Sequence, residues 1–338
     1  MINVGVLGAT GAVGQRFVQL LAEHPWFNLT TLTASERSAG KLYRDVVKWR
    51  LDVPFPEQAG DIRVSPTDVS SLKDVDLVFS ALPAEIAGGI EAACAKAGLG
   101  VCSNASSYRM DPDVPLVVTE VNPDHLGLID VQRDRGRDGF IVTNPNCSTI
   151  VMTLALAPIR DFRFTDIRVA TMQAISGAGF EGVPAMGIFD NIVPYIGQEE
   201  EKMETETMKI MGTLDGGAVR PAPFRVSASC HRVPVLDGHT MAIWADIADP
   251  VEKVREAFLN YTPSLPSLPT LPEKSVQFFS EPDRPQPRLD RMRGRGMTVS
   301  VGRLREGIRF IAMGHNTIRG AAGASVLNAE LISTKNYL

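Results

Sequence analysis

The residue with the most distinctive chemical surroundings is Cys147, in Phe140-Ile-Val-Thr-Asn-Pro-Asn-Cys147-Ser-Thr-Ile-Val151. An apolar run there gives way, after a proline, to a helical start. A thiol at a helix N-terminus is expected to have a depressed pKa, because the local positive potential favours thiolate. Backbone N–H groups in the same turn could hold an oxyanion. The chemistry these residues suggest is nucleophilic. A structural cysteine sits more naturally inside an apolar run, as Cys94 does in Glu91-Ala-Ala-Cys-Ala-Lys-Ala97. With Cys102 and Cys230 the chain has four cysteines, scattered, without a C-x-x-C pair or a Cys/His cluster at zinc spacing. Free thiols and no metal are expected.

Arg232-Val-Pro-Val-Leu-Asp-Gly-His239 puts a guanidinium close in sequence to an imidazole. Histidine suits acid/base work because its unperturbed pKa lies near neutrality, and a planar guanidinium can grip a carboxylate with two bonds. His231, beside Arg232, is the competing imidazole. His24, His125 and His315 lack comparable surroundings and are read as structural. Taken alone, Gln173 is an ordinary polar strand residue, and the acidic run Glu199-Glu-Glu-Lys202 is a solvated helix face.

A second chemical signal is Gly8-Ala-Thr10-Gly11-Ala12-Val13-Gly14, between the first apolar run and the first helical pattern. Glycines there let the chain turn tightly, approach a pyrophosphate, and pack the helix on a sheet. The helix start then offers N–H groups to the anion. Roughly 20 residues on, where a second strand should meet the adenosine ribose, the sequence reads Ala34-Ser35-Glu36-Arg37-Ser38. Glu36 would suit NAD. Ser35, Arg37 and Ser38 together suit the 2′-phosphate of NADP, which is the cofactor expected.

The elements that must position these residues follow from periodicity. Strands are expected at 2–7, 28–34, 75–80, 100–103, 116–118 and 139–143, with helices at 12–24 and 84–97. This alternation builds a parallel sheet with helices on its faces. After Cys147 the texture changes: a helix over 148–161, longer strands at 167–176 and 239–247, a Glu/Lys/Met-rich helix at 199–212, strands at 297–301 and 308–313, and a closing helix over 320–332. The proline-dense stretch 262–287 reads as an extended surface connection. The fold class is therefore α/β: a Rossmann-type dinucleotide-binding domain plus an α+β catalytic and dimerisation domain with a mostly antiparallel sheet. The expected division is 1–146 with 316–338, and 147–315.

With 338 residues, 44% hydrophobic and 22% charged, the composition is that of an ordinary soluble globular protein. A formal net charge of −5 gives no general attraction for nucleic acid or an anionic membrane. No apolar run approaches the roughly 20 residues that span a bilayer, and the N-terminus reads as a strand rather than a signal peptide. A cytoplasmic protein is expected.

Asn144-Pro-Asn-Cys-Ser-Thr149 resembles the nucleophile motif of the aspartate-semialdehyde dehydrogenase family. The likeness runs from the Gly-rich loop to Asn316-Thr-Ile-Arg-Gly-Ala-Ala-Gly323 and is nearest the archaeal and fungal branch. N-acetyl-glutamyl-phosphate reductases carry Pro-Gly-Cys at that point, which this chain lacks. The resemblance implies that Cys147 forms an acyl thioester beside Asn146, that Gln173 orients the acyl carbonyl, and that His239 rather than His231 is the acid/base. It assigns Arg232 to the substrate α-carboxylate, Glu199 to its ammonium, and Arg109 and Lys202 to phosphate, with the Glu/Lys register open by one residue. Ser176, Gly177 and Gly179, with Ser80 and Asn316, would line the cofactor site.

The reaction implied is reductive dephosphorylation of L-aspartyl 4-phosphate to L-aspartate 4-semialdehyde with NADPH, in aspartate-family amino-acid biosynthesis, by a homodimer or homotetramer. The implied partners are a small-molecule substrate and inorganic phosphate. Reduction of a CoA thioester such as malonyl-CoA on the same scaffold is the alternative, and a non-catalytic NADP-binding regulator a remoter one. A short-chain dehydrogenase would need Tyr-x-x-x-Lys, and none of the five tyrosines has a lysine four residues on.

Overall fold

The computed structural model describes residues 1–338. Its first sheet contains β1 (Ile2–Leu7), β2 (Phe27–Ala34), β3 (Ser65–Pro66), β4 (Leu77–Ser80), β5 (Gly100–Ser103) and β6 (Phe140–Thr143), ordered β3-β2-β1-β4-β5-β6. All neighbours are parallel. Every residue of β4, β5 and β6 is buried, as expected when helices cover both faces. The order reverses between β1 and β4, and such a switch point opens a crevice at the carboxyl ends of the strands. The Gly-rich loop follows β1 into that crevice, and Cys147 follows β6 to the same edge.

The expected strand over 116–118 does not form. Leu116 makes one isolated bridge to Thr143. Asn122 then folds the chain away, its side chain accepting from Val118 N and donating to the Leu116 carbonyl.

The second sheet contains β7 (Asp166–Gln173), β10 (Arg225–Arg232), β11 (His239–Ala245), β12 (Val276–Phe279), β13 (Val299–Arg305) and β14 (Arg309–Gly314), while β8 (Thr213–Asp215) and β9 (Ala218–Arg220) form a separate hairpin. Its order is β10-β7-β11-β14-β13-β12. The centre is antiparallel, but the outer pairs β10–β7 and β12–β13 are parallel, so the sheet is mixed. Along β7, Ile167, Val169, Thr171 and Gln173 are buried while Arg168 is exposed, the period-2 pattern of a sheet covered on one face.

Three boundaries move for local reasons. The helix after Cys147 spans Cys147–Leu156 and passes into a 3-10 turn at Ala157–Phe162, where Pro158 lacks the N–H a helix would use. Strand β7 ends at Gln173, and Ile175–Ala178 is a 3-10 turn. The closing helix runs Gly323–Thr334 after a π-turn at Ile318–Ala322. The stretch 262–287 is extended, yet it contains β12 and inserts Leu268 into the first-sheet core.

Ser148–Leu156 is buried throughout, which makes this helix the central strut beneath the second sheet. Ile150, Val151 and Leu154, all fully buried, each contribute roughly 1.5–3 kcal/mol by leaving water. The chain's end returns to the first sheet, and Ile318, Ala322, Val326, Leu327 and Leu331 belong to its core.

Candidate active site

Strand register brings the second-domain candidates together. Arg232 pairs with Gln173 at the parallel ends of β10 and β7. Thr240 pairs with Met172, and His239 with Gly314, so His239 opens β11 at that same end. Cys147 meets them at the first turn of its helix. Its Sγ lies 3.2 Å from His239 Nε2. The backbone N–H of Ala174 donates to His239 Nδ1 at 3.0 Å. His231 instead points its Nδ1 at the Thr171 carbonyl.

The helix start is built by Asn146, whose Oδ1 accepts from the N–H groups of Ser148 and Thr149 at 2.9 and 3.3 Å, an N-cap worth about 1 kcal/mol. Its Nδ2 donates to Glu199 Oε1 at 2.6 Å, and Gln173 Nε2 donates to Glu199 Oε2 at 3.0 Å. Glu199 therefore faces the site. Glu200 turns away to the backbone N–H of Cys230, and Glu201 is exposed. Arg232 is buried and donates to the Ala174 carbonyl at 2.8 Å. Lys202 lies between Glu199 and Glu206 in the helical repeat, is half-buried, and makes no ion pair.

Arg109 is buried against Glu206, with NH1 to Oε1 at 2.8 Å, and donates NH2 to the Asn104 carbonyl. Glu206 Oε2 also accepts the Asn146 backbone N–H at 2.7 Å. Neither Glu206 nor Lys209, which donates to the carbonyls of Arg109, Asp111 and Val114, stood out in the sequence. The helical spacing of Glu199, Lys202 and Glu206 was the available signal for the first.

The electrostatics overturn one expectation. Burial pushes the Cys147 thiol up to about 12, Glu199 adds to the rise, and Arg232 and Arg109 oppose it. Desolvation outweighs the helix terminus, so the free thiol is protonated near neutrality. Burial likewise drives His239 down to about 3, with Arg232 and His315 acting in the same direction.

The Gly-rich loop fits a dinucleotide. Gly8 has φ +78°, a left-handed backbone in which a side chain is strained. A Cβ on Gly14 would run into the Gly8 carbonyl and the Ala9 backbone. The helix Ala12–Leu21 begins with Gly11 extended and no side-chain cap, leaving the N–H groups of Ala12, Val13 and Gly14 toward the crevice. Thr10 gives its carbonyl to Gln15 Nε2. Ser35 and Arg37 are exposed at the end of β2, and Ser38 is half-buried. The Ser80 hydroxyl is sealed from solvent, so only its backbone can serve the crevice.

A cavity of about 480 Å³ joins this loop to the second domain, lined by Ala12, Arg16, Ser176, Gly179, Asp237 and Thr317 among others. Gly177 lets the turn close on the site, since a Cβ there would lie 2.7 Å from Arg232 and 3.2 Å from the His239 ring. Asn316 ties the turn down, donating to Ser176 Oγ at 2.8 Å and accepting from Gly238 N at 2.9 Å.

A parallel nucleotide-binding sheet joined to a mixed sheet by a cysteine–imidazole pair defines a nucleotide-dependent oxidoreductase of the thiol class. Residues 3–129 match the family described as semialdehyde dehydrogenase, NAD binding domain, and residues 156–319 match semialdehyde dehydrogenase, dimerisation domain. The chain is 57% identical to the aspartate-semialdehyde dehydrogenase of Methanothermobacter thermautotrophicus, covering 98% of this chain and 99% of that one. It is 46% identical to that of Saccharomyces cerevisiae, covering 99% and 98%. A crystal structure of aspartate semialdehyde dehydrogenase with NADP from Candida albicans superposes with a TM-score of 0.91 at 42% identity, over 100% of both chains. The chain belongs to the aspartate-semialdehyde dehydrogenase family.

Proposed function

We propose that this chain reduces L-aspartyl 4-phosphate to L-aspartate 4-semialdehyde and inorganic phosphate with NADPH, reversibly. The observation that carries this reading is the 3.2 Å approach of Cys147 Sγ to His239 Nε2 where the two sheets meet. Cys147 attacks the acyl carbon as thiolate and the C–O bond to phosphate breaks; the proton given up by the thiol ends on the leaving phosphate, which departs as a dianion held by Arg109 and Lys202. Arg232 grips the α-carboxylate. Glu199 receives the ammonium and holds Asn146 and Gln173 in place, so that Gln173 orients the thioester carbonyl.

Bound NADPH supplies a hydride to that carbonyl carbon. His239 presents its Nε2 proton to the oxygen as charge develops there, and the C–S bond then breaks to return the thiolate. Gly8, Thr10, Gly11, Ala12, Val13 and Gly14 would hold the pyrophosphate, with Ser35, Arg37 and Ser38 at the 2′-phosphate and Ser80, Ser176, Gly177, Gly179 and Asn316 toward the nicotinamide.

We assign 1–146 with 316–338 to nucleotide binding and 147–315 to catalysis and self-association as a homodimer or homotetramer in the cytoplasm. No helix is long and apolar enough to cross a membrane. The test is oxidation of the semialdehyde with NADP or NAD. Strict dependence on phosphate and preference for NADP are expected. Phosphate-independent turnover, or reduction of malonyl-CoA in preference to aspartyl phosphate, would overturn the reading.

A further inference from the structure

We propose that Glu206 is a positioning residue that couples the phosphate site to the seating of the nucleophile. The inference rests on the reading of Arg109 as a phosphate ligand.

Glu206 is 2% exposed, and each of its oxygens has its own partner. One accepts from Arg109 NH1 at 2.8 Å, the other from the backbone N–H of Asn146 at 2.7 Å. That second donor immediately precedes Cys147. It belongs to the residue that caps the nucleophile's helix and reaches Glu199 with its side chain. A single carboxylate thus fixes the distance between a guanidinium and the turn carrying the sulfur.

Arg109 is held at both ends by one helix, Glu199–Ile210. Glu206 takes its side chain, and Lys209 takes the carbonyls of Arg109, Asp111 and Val114. The guanidinium keeps one buried donor, Nε, without a partner inside the chain. That Nε is sealed from solvent, so Arg109 depends on Glu206 and the Asn104 carbonyl to fix the face its remaining N–H groups present. Only an ionised carboxylate satisfies both neighbours. A glutamine at 206 has one acceptor oxygen and must turn its NH2 toward either Arg109 or the Asn146 N–H, so one of the two ties fails.

The test is steady-state semialdehyde oxidation at saturating NADP with phosphate varied, in Glu206→Gln, Arg109→Ala and the double variant, with thermal unfolding of each. Glu206→Gln should raise the phosphate KM by about tenfold or more and lower kcat, while the aldehyde KM moves by less than about twofold. Because Glu206 acts through Arg109, the double variant should show the same phosphate KM as Arg109→Ala alone.

A Glu206→Gln protein with reduced thermal stability but an unchanged phosphate KM would overturn the proposal, as would phosphate effects that multiply in the double variant. An unchanged phosphate KM in Arg109→Ala would instead sink the phosphate reading itself. If Glu206→Gln fails to fold, Glu206→Asp keeps the charge but is one methylene too short to span both donors. It should show the same selective rise, and wild-type phosphate kinetics would overturn the proposal.

Discussion

His239 turns Nε2 toward the Cys147 sulfur and gives Nδ1 to the backbone N–H of Ala174. A ring that accepts at Nδ1 carries its single proton, when neutral, on Nε2. The imidazole therefore meets the sulfur as a hydrogen-bond donor. In the mechanism proposed above, that donor would support thiolate and, later, an oxyanion.

Because burial holds the His239 imidazolium down to about 3, the ring should stay neutral across the physiological range. Nitrogen NMR of ring-labelled protein should show the Nε2–H tautomer, without titration between about pH 5 and 9. An imidazolium signal near neutrality would contradict this. His239→Ala, which removes the donor to the developing oxyanion, should lower kcat by about 10²–10³-fold and leave measurable turnover.

For Cys147 the pH dependence runs the other way. A thiol raised to about 12 gains thiolate by about tenfold per pH unit below that value. Labelling of Cys147 by iodoacetamide in the free protein, followed by mass spectrometry, should climb without a plateau from about pH 7 to 10. A plateau near neutrality would mean the sulfur is ionised despite its burial. Cys147→Ala should abolish turnover yet retain NADPH binding, measured by nucleotide fluorescence.

Lys209 offers a stability test. Burial lowers its pKa from 10.5 to about 8, so between those values the unfolded chain binds the extra proton. Its contribution is therefore unfavourable and complete below about pH 8, and it is relieved as pH rises toward 10.5. Lys209→Met should unfold more easily at pH 7, with the carbonyls of Arg109 and Val114 unpaired, and should lose this alkaline gain in a pH series of thermal melts.

The proposed place of Arg37 at the 2′-phosphate is open to a direct test. Arg37→Ala should raise the KM for NADP by about tenfold or more, the scale of a lost charge-assisted bond, and leave that for NAD nearly unchanged. Equal effects on both would place the 2′-phosphate elsewhere.

Local features were legible in the sequence where one segment carries the whole signal. The turn around Cys147 and the Gly8–Gly14 loop are such cases, since strand, turn and helix start are contiguous. Strand β10 was not legible, because Arg225-Val-Ser-Ala-Ser-Cys-His-Arg232 is an edge strand of small and polar residues. The helix carboxylates of Glu200 and Glu204 satisfy its N–H groups at Cys230 and Ala228. Strand β12 was hidden among prolines. The upward push on the half-buried Cys147 thiol was not legible because helix polarity can be read locally, while the packing that opposes it comes from β11 and the Glu199–Ile210 helix, distant in sequence. Glu206 was missed for the same reason, as both of its partners lie far away along the chain.

The backbone passes from one sheet to the other at 144–147 and comes back at 315–320, and these two passages touch. The Asn144 amide donates to the Ala321 carbonyl, and a Cβ added at Gly320 would lie 2.7 Å from that of Cys147. The two connections between the layers therefore run side by side, and the nucleophile lies at their contact. A side chain at 320 would press on the residue that carries the sulfur, so the crossing accepts only bare backbone there.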